Sequence, residues 1–476
     1  MSQVARIAKN SILLVTQQLL LNIISIFAVG YIARSIGKVD YGKFIFAFNF
    51  AALFIPFTSL GLAAVATREI TENIDKVNSI LGKLLIFRII AFLIVYFILV
   101  LVVNVMGYPV ETKTLVYLAG LTLGIWAIIN TCFSVFQAFE RAEYVAFTMF
   151  ILGSILTILS LLLVWLGFGL FGVTVAYVIG QATGLLPVFF CLKKLKVRPK
   201  FSFDLTYYLS LLKRARNFFL PDMATTVGKK SGIVILSKFA GDLHVGLYGA
   251  AFNLVEKVLV IPDSICTSLF PVFIKSYRNS LDDLISIYKK FFKYFLILSL
   301  PIATVVSFIS DRIIKLIYGV QFASAGPLLV LLSWWLFFSF LDYIQLYALS
   351  AIHREKKAAR SSYISNMIYI IVAFVLIGLY KSMGAVISIT LASALSFTLN
   401  FYNVSRQFKK NFLDYRSLRK IVFANVVLVI VLLFSREISV LIVILFVPAF
   451  YLLILSLLGL MKIGEMKDIL AKILTK

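Results

Sequence analysis

Two histidines and three cysteines in 476 residues are too few for most of the chemistry those side chains carry. Cys132, Cys191 and Cys266 stand in or beside apolar runs without C-x-x-C spacing. That excludes a zinc ribbon or dithiol motif and reads as buried structural thiols. His244 and His353 alone cannot build a His-based metal centre or proton relay. Charge is scarce as well: 14% of residues are charged, where soluble domains carry about 25%. Acidic residues number 21 against 46 basic ones. The adjacent carboxylates Asp282-Asp283 lie in a short polar stretch that reads as a solvated loop. A metal-dependent transferase site therefore has no obvious home, and the reading is of a non-enzyme that needs no cofactor.

What fills the chain instead is apolar. It is 61% hydrophobic with a mean hydropathy of +1.01, the composition of an integral membrane protein. A spanning helix needs roughly 20 mostly apolar residues. Such runs occur at Ile12–Ile32, Phe44–Ala64, Leu84–Val105, Thr114–Val135, Val145–Leu166, Leu170–Leu192, Phe218–Ala240, Leu247–Ile274, Phe292–Ile309, Leu328–Ala351, Ile364–Leu379, Met383–Asn403, Ile421–Phe434 and Val440–Leu460. They are too long for barrel strands, so the fold class is an all-α membrane bundle of about fourteen helices. Met1 to Asn10 reads as a short basic leader, not a cleavable signal. Of the 46 basic residues, 33 fall in alternate connections that include both ends of the chain. Cations concentrate in cytoplasmic loops, which places both termini in the cytoplasm and the protein in the cytoplasmic membrane. The net charge of +25 is thus topological and argues against nucleic acid. Outer connections as short as Gly167–Gly169 leave no room for a folded external domain.

The chain is also duplicated. ARSIGKVDYGKFIFAFNF, from Ala33, aligns with SKFAGDLHVGLYGAAFNL, from Ser237. Gly37 then meets Gly241, Gly42 meets Gly246, Ala47-Phe48-Asn49 meets Ala251-Phe252-Asn253, and Arg34 meets Lys238. In each half the stretch joins the first and second spans. Six spans per half return the second copy to the orientation of the first, as in parallel-repeat transporters. The division expected is an N-lobe at 1–193, a basic cytoplasmic linker at 194–216, a C-lobe at 217–404, and two additional helices with a cytoplasmic tail at 405–476.

Ionisable residues inside spans are costly, roughly 2.5–3.5 kcal/mol for a central Lys, and mark pathways or cavities. TTVGKKSGIVIL sets Lys229 and Lys230 deep in the seventh span, with Asp222, Thr225 and Thr226 on the same broad face. The eighth span carries Asn253, Glu256, Lys257 and Asp263 on one side, the first carries Gln18 and Asn22, and the second carries Asn49. With Arg34 and Lys238 at the outer rim, these form the expected lining of a wet, cationic lumen that attracts an anion such as phosphate. Asp222, Asp263 and Asp342 are the ion-coupling candidates, Asp342 being equally readable as structural, and Arg88 reads as structural.

Three further stretches carry a resemblance. LIYGVQFASAGPLLVLLSWW, from Leu316, is similar to the turn opening the tenth span of polysaccharide flippases. The segment Leu349–Val404, with the Ala351 turn, Arg354, Lys356, Asn366 and Gly384-Ala385, resembles their eleventh and twelfth spans. The R-x-x-G-x-x-x-Y-G stretch from Arg34 matches their first outer turn. The chain thus resembles the Wzx-type flippases, the polysaccharide transporter branch of the multidrug/oligosaccharidyl-lipid/polysaccharide (MOP) exporters. That resemblance implies alternating access by two lobes around a cavity lined by the first, second, seventh and eighth spans. It further implies transport of a polyprenyl-(pyro)phosphate-linked oligosaccharide for surface polysaccharide biosynthesis. The expected partners are that lipid-linked oligosaccharide, membrane lipids and a polymerase or glycosyltransferases, around a monomer. No arginine stands in the first span where the lipid II relatives have one, so a peptidoglycan precursor is disfavoured. A cation-coupled drug or metabolite antiporter of the same superfamily is the alternative.

Overall fold

The computed structural model describes residues 22–408, 413–434 and 440–460. Among them every regular element is a helix. Among the described residues, ten helices are long and apolar enough to cross a membrane. Two of these, Asp222–Asn279 and Glu355–Phe408, have 58 and 54 residues, more than twice a bilayer's thickness at 1.5 Å per residue. Each is broken by a non-helical residue, at Gly241 and Lys381, and resolves into two spans. With the shorter apolar helices Asn22–Ile36 and Phe446–Leu457, the fourteen apolar runs of the sequence all have helical counterparts. Gln18 and both ends of the chain lie outside the described residues.

The chain packs as two compact units, one of Leu20–Gly246 and one beginning at Leu247. This division reports packing, whereas the lobes expected from the duplication report repetition. The first unit contains α1 (Asn22–Ile36), α2 (Lys38–Ala52), α3 (Ile55–Ser59) and α4 (Leu62–Glu72). It continues with α5 (Val77–Val105), α6 (Val110–Ala138), α7 (Ala142–Trp165), α8 (Gly169–Thr183), α9 (Leu185–Lys194) and most of α10 (Leu205–Glu256). One hydrophobic cluster of its core is built from Leu62, Ile70, Leu81, Leu85, Phe136 and Val188, joined by Leu211 from the start of α10. The second unit holds α11 (Val260–Asn279), α12 (Leu281–Tyr318), α13 (Gly326–Ala351), α14 (Glu355–Phe408), α15 (Tyr415–Phe434) and α16 (Val440–Leu457). There α13 packs between α12 and α14, and α15 rests on α12.

The duplication is visible in the backbone. Gly37 has φ 85° and ψ 164°, and its repeat mate Gly241 has φ 77° and ψ 179°. That region of conformational space is essentially closed to residues with a Cβ, which explains why glycine stands at both positions. Each copy's second span then breaks at the matching place. α2 ends at Ala52 before α3 resumes at Ile55, while α10 ends at Glu256, passes through a 3-10 turn at Lys257–Leu259, and α11 resumes at Val260. Gly42 and Gly246 face each other: a Cβ on Gly42 would lie 1.8 Å from the Asp242 carbonyl oxygen, and one on Gly246 would lie 2.0 Å from that of Lys38. Only hydrogen at both sites lets the backbones approach so closely.

The basic segment after α9 is strapped to the first unit. Arg198 N–H donates to Asn78 Oδ1 at 2.8 Å, and Lys200 N–H donates to the Asn78 carbonyl at 2.8 Å. A Cβ at Gly82 would lie 2.0 Å from the Lys200 carbonyl oxygen, so the strap passes over a bare turn of α5. Asp204 then opens α10, accepting from Tyr207 N–H at 3.0 Å and from Lys83 Nζ at 2.7 Å. The Lys83 ammonium holds the Asp204 carboxyl below its ordinary range, so this tether weakens as pH falls through that depressed value. Arg214 adds an ion pair to Glu69 on α4 at 2.8 Å.

In the second unit Ser280 caps α12, its Oγ accepting from Asp283 N–H at 3.0 Å. Ser280→Ala orphans one of the free N–H groups of that first turn and is expected to cost about 1 kcal/mol. Ser280→Asp should restore it, and thermal unfolding of the purified protein reads both.

Candidate functional site

The second span is the most broken helix of the first unit, and the break determines what collects around it. Leu53 and Phe54 separate α2 from α3, and Leu60 (φ 47°) and Gly61 (φ 66°) adopt left-handed conformations before α4 begins. A span broken at membrane depth leaves carbonyls without helical partners, which is tolerated only inside protein or beside a watered cavity. Arg88 of α5 supplies one partner: its Nη1 donates to the Thr58 carbonyl and its Nε to Thr131 Oγ1 of α6 at 3.1 Å. Arg88 is 2% exposed.

Beside this brace lies a cavity of about 380 Å³ whose lining includes Thr58, Ser59, Arg88, Trp126, Asn130 and Asp222. Trp126 and Asn130 are four residues apart on α6 and so share one helix face. Asp222 enters from α10, where its Oδ2 accepts from Ser59 Oγ at 3.0 Å. Among the described residues, Arg88 Nη2, the Asn130 side-chain amide and Asp222 Oδ1 have no protein partner, and Arg88 forms no ion pair. A buried guanidinium without a carboxylate is expensive. Here Arg88 is one of the residues lining a cavity whose wall mixes polar and apolar side chains.

The other residues singled out from sequence scatter over several environments. Lys229 is exposed and Lys230 half-buried on α10, two and just over two turns beyond Asp222. Neither is sealed in a dry core. Lys238 is exposed, with its Nζ donating to the Met106 carbonyl and lying 4.6 Å from the Tyr108 ring centroid. Arg34 is exposed on α1 and Asn22 half-buried. Asn49 donates from Nδ2 to the Ile45 carbonyl at 2.8 Å, a bond within its own helix.

In the second unit, Asn253 is half-buried, Glu256 exposed and Lys257 half-buried at the 3-10 turn. Asp263 is exposed and accepts from Tyr347 Oη at 3.4 Å. Asp342 sits between α13 and α14, accepting from Ser396 Oγ at 2.7 Å and from Asn400 Nδ2 at 2.8 Å. Asn400 is fully buried, and its Oδ1 has no hydrogen-bond partner among the described residues. The structure thus brings Asp222 together with Arg88, which reads from sequence as structural, and with Asn130 and Trp126, which sequence reasoning missed. The available signals were a cation a few residues into the third span and an i, i+4 Trp–Asn pair in the fourth. Neither shows a cavity without the broken span across from it.

A family model described as "Polysaccharide biosynthesis protein" matches residues 7–277. An uncharacterized membrane protein of Methanocaldococcus jannaschii, MJ1068, is 25% identical over 485 residues, covering 93% of this chain and 94% of that protein. The probable low-salt glycan biosynthesis flippase Agl15 of Haloferax volcanii is 24% identical over 196 residues, 40% of this chain and 41% of that protein. Among solved structures, an inward closed lipid II flippase MurJ superposes with a TM-score of 0.77 at 15% identity, covering 98% of this chain and all of that one. An inward-facing multidrug resistance MATE family transporter of the MOP superfamily superposes with a TM-score of 0.69 at 15% identity, covering 84% and 98%. At these identities the superpositions establish the fold.

Proposed function

The chain belongs to the polysaccharide biosynthesis protein family, and from that premise we propose that it is a flippase for a polyprenyl-(pyro)phosphate-linked oligosaccharide. The proposed route is alternating access across the cytoplasmic membrane, both termini inside, in the service of surface polysaccharide biosynthesis and its polymerase or glycosyltransferases. Family and fold are those of multi-pass membrane transporters, not enzymes. The observation that carries the substrate class is the adjacent pair Lys229 and Lys230, exposed and half-buried within a span. Two ammonium groups at that depth would together cost roughly 5–7 kcal/mol if they met acyl chains. A hydrated path with a phosphorylated headgroup removes that cost and uses it. An inside-negative potential would also favour outward passage of the net negative headgroup, by about 2.3 kcal/mol per charge per 100 mV.

In cells lacking the wild-type protein, Lys229→Ala/Lys230→Ala is expected to reduce surface glycan at least about tenfold, the loss of one to two charge-assisted hydrogen bonds. Lys→Arg at both positions should restore most of it, with equal membrane abundance as the control. Undiminished glycan in the double alanine strain sinks the reading.

Asp342, with Ser396, Asn400 and the unpartnered Asn400 Oδ1, is the proposed seat of the coupling ion, with Asp222 and Asp263 as the remaining carboxylates for that role. The MATE neighbour shares the fold, and the same carboxylates would serve a cation-coupled drug or metabolite antiporter. Resistance to cationic dyes in an exporter-deficient host separates the two: an antiporter confers it, a glycan flippase does not.

A further inference from the structure

Resting on the flippase reading, we infer that the cavity beside the broken second span is a subsite for one neutral pyranose ring of the transported glycan. Three features point to that chemistry. The groups with unused capacity are planar and polar: Arg88 Nη2 donates, the Asn130 amide both donates and accepts, and Asp222 Oδ1 accepts. Vicinal hydroxyls, which donate and accept at once, satisfy all three together. Trp126 contributes a broad apolar ring to the same wall, suited to the C–H face of a sugar. The volume, about 380 Å³, is at the small end of ligand pockets, enough for one ring and not for an oligosaccharide.

Charge decides against the alternative of a phosphate. The cavity holds one guanidinium and one carboxylate, so its net charge is zero. An anion drawn to Arg88 would meet Asp222 in the same small space, where repulsion is of similar size to the attraction. A lipid tail would leave the polar groups of Arg88, Asn130 and Asp222 in this wall without hydrogen-bond partners. The site is separate from Lys229 and Lys230, which do not line it. Headgroup phosphate and sugar would thus be recognised by different residues.

The test uses the purified full-length protein in lipid nanodiscs, titrated with the methyl glycosides of glucose, galactose, mannose and N-acetylglucosamine while tryptophan emission is followed. At least one glycoside should give a saturable change. Asn130→Ala and Asp222→Asn should each raise its midpoint about fivefold, the worth of one typical hydrogen bond. Asn130 is half-buried and its side chain holds no other part of the protein among the described residues, so this variant should fold as the wild type does. Sodium phosphate should neither change the emission nor compete. No saturable response to any of the four overturns the inference, as does a midpoint unmoved by Asn130→Ala. Competition by phosphate that depends on Arg88, tested with Arg88→Lys, overturns it in favour of an anion site. Glycan export is measured in parallel. Export that depends on Lys229 and Lys230 without glycoside binding leaves the flippase standing and the sugar subsite fallen. Glycoside binding in a protein that contributes nothing to export leaves the subsite standing and the flippase fallen.

Discussion

Gly42→Ala and Gly246→Ala are each expected to prevent the protein from accumulating in folded form at the membrane. The added Cβ would sit 1.8 Å from the Asp242 carbonyl oxygen in the first case and 2.0 Å from the Lys38 carbonyl oxygen in the second. Both obstacles are backbone, so no rotamer change relieves them. The two helix starts must instead separate by more than an ångström. Overpacking of this kind costs about 1–3 kcal/mol where a side chain can yield, and more where it cannot. Separation would also loosen the neighbouring tether, in which Lys43 Nζ reaches Glu111 Oε2 at 2.7 Å and Asp40 Oδ1 at 3.0 Å. Gly153→Ala is the control. It lies within α7 with nothing inside 4 Å of its would-be Cβ, so alanine there should stabilise by about 0.5–1 kcal/mol. Thermal unfolding in detergent, with membrane yield alongside, reads all three. A Gly42→Ala protein that melts with the wild type would show that this close approach is not needed.

Asp342→Asn is expected to uncouple transport from its driving ion while leaving the protein folded. The amide keeps the shape of the carboxylate: its oxygen can accept from Asn400 Nδ2, which lies 2.8 Å from the Asp342 carboxylate, and its NH2 can donate to Ser396 Oγ, which lies at 2.7 Å. What it removes is the negative charge beside the unpartnered Asn400 Oδ1. A carboxylate, a hydroxyl and an amide oxygen are the hard oxygen donors that a small monovalent cation or a proton would use. In proteoliposomes carrying a fluorescent lipid-linked glycan, an imposed sodium or proton gradient should accelerate the wild type. It should leave Asp342→Asn at its rate without a gradient, a difference of at least about fivefold if coupling is worth the usual 1–3 kcal/mol. A variant that still responds to the same gradient would reduce Asp342 to a polar clasp between α13 and α14.

Much of the fold is legible in residue order alone. The bilayer demands about 20 apolar residues per crossing, and that demand is one-dimensional, so the spans stand out and the helices follow. The duplication is equally legible, because Gly37, Gly42, Gly241 and Gly246 are held by backbone geometry that tolerates no substitute. The sequence marks them without saying that Gly42 and Gly246 touch.

The candidate site is less legible. Lys229 and Lys230 announce themselves because cations are rare within spans, yet their sequence position says nothing of what they face. Arg88 reads as a structural charge, and it is one, bracing the Thr58 carbonyl. Its second aspect, a place in the cavity lining, depends on where the second span breaks. Propensity does not forecast breaks at Leu53-Phe54 and Leu60-Gly61 within so apolar a run.

Residue order by itself therefore determined that this is a helical, duplicated membrane protein with cations where a bilayer resists them. Hydrophobic length and glycine stereochemistry act locally, and a linear pattern records them. Tertiary structure alone decided which polar groups share a cavity. Asp222, Arg88 and Asn130 lie more than forty residues apart from one another in the chain, and only the packing of three helices around a broken fourth brings their unused hydrogen-bonding atoms together.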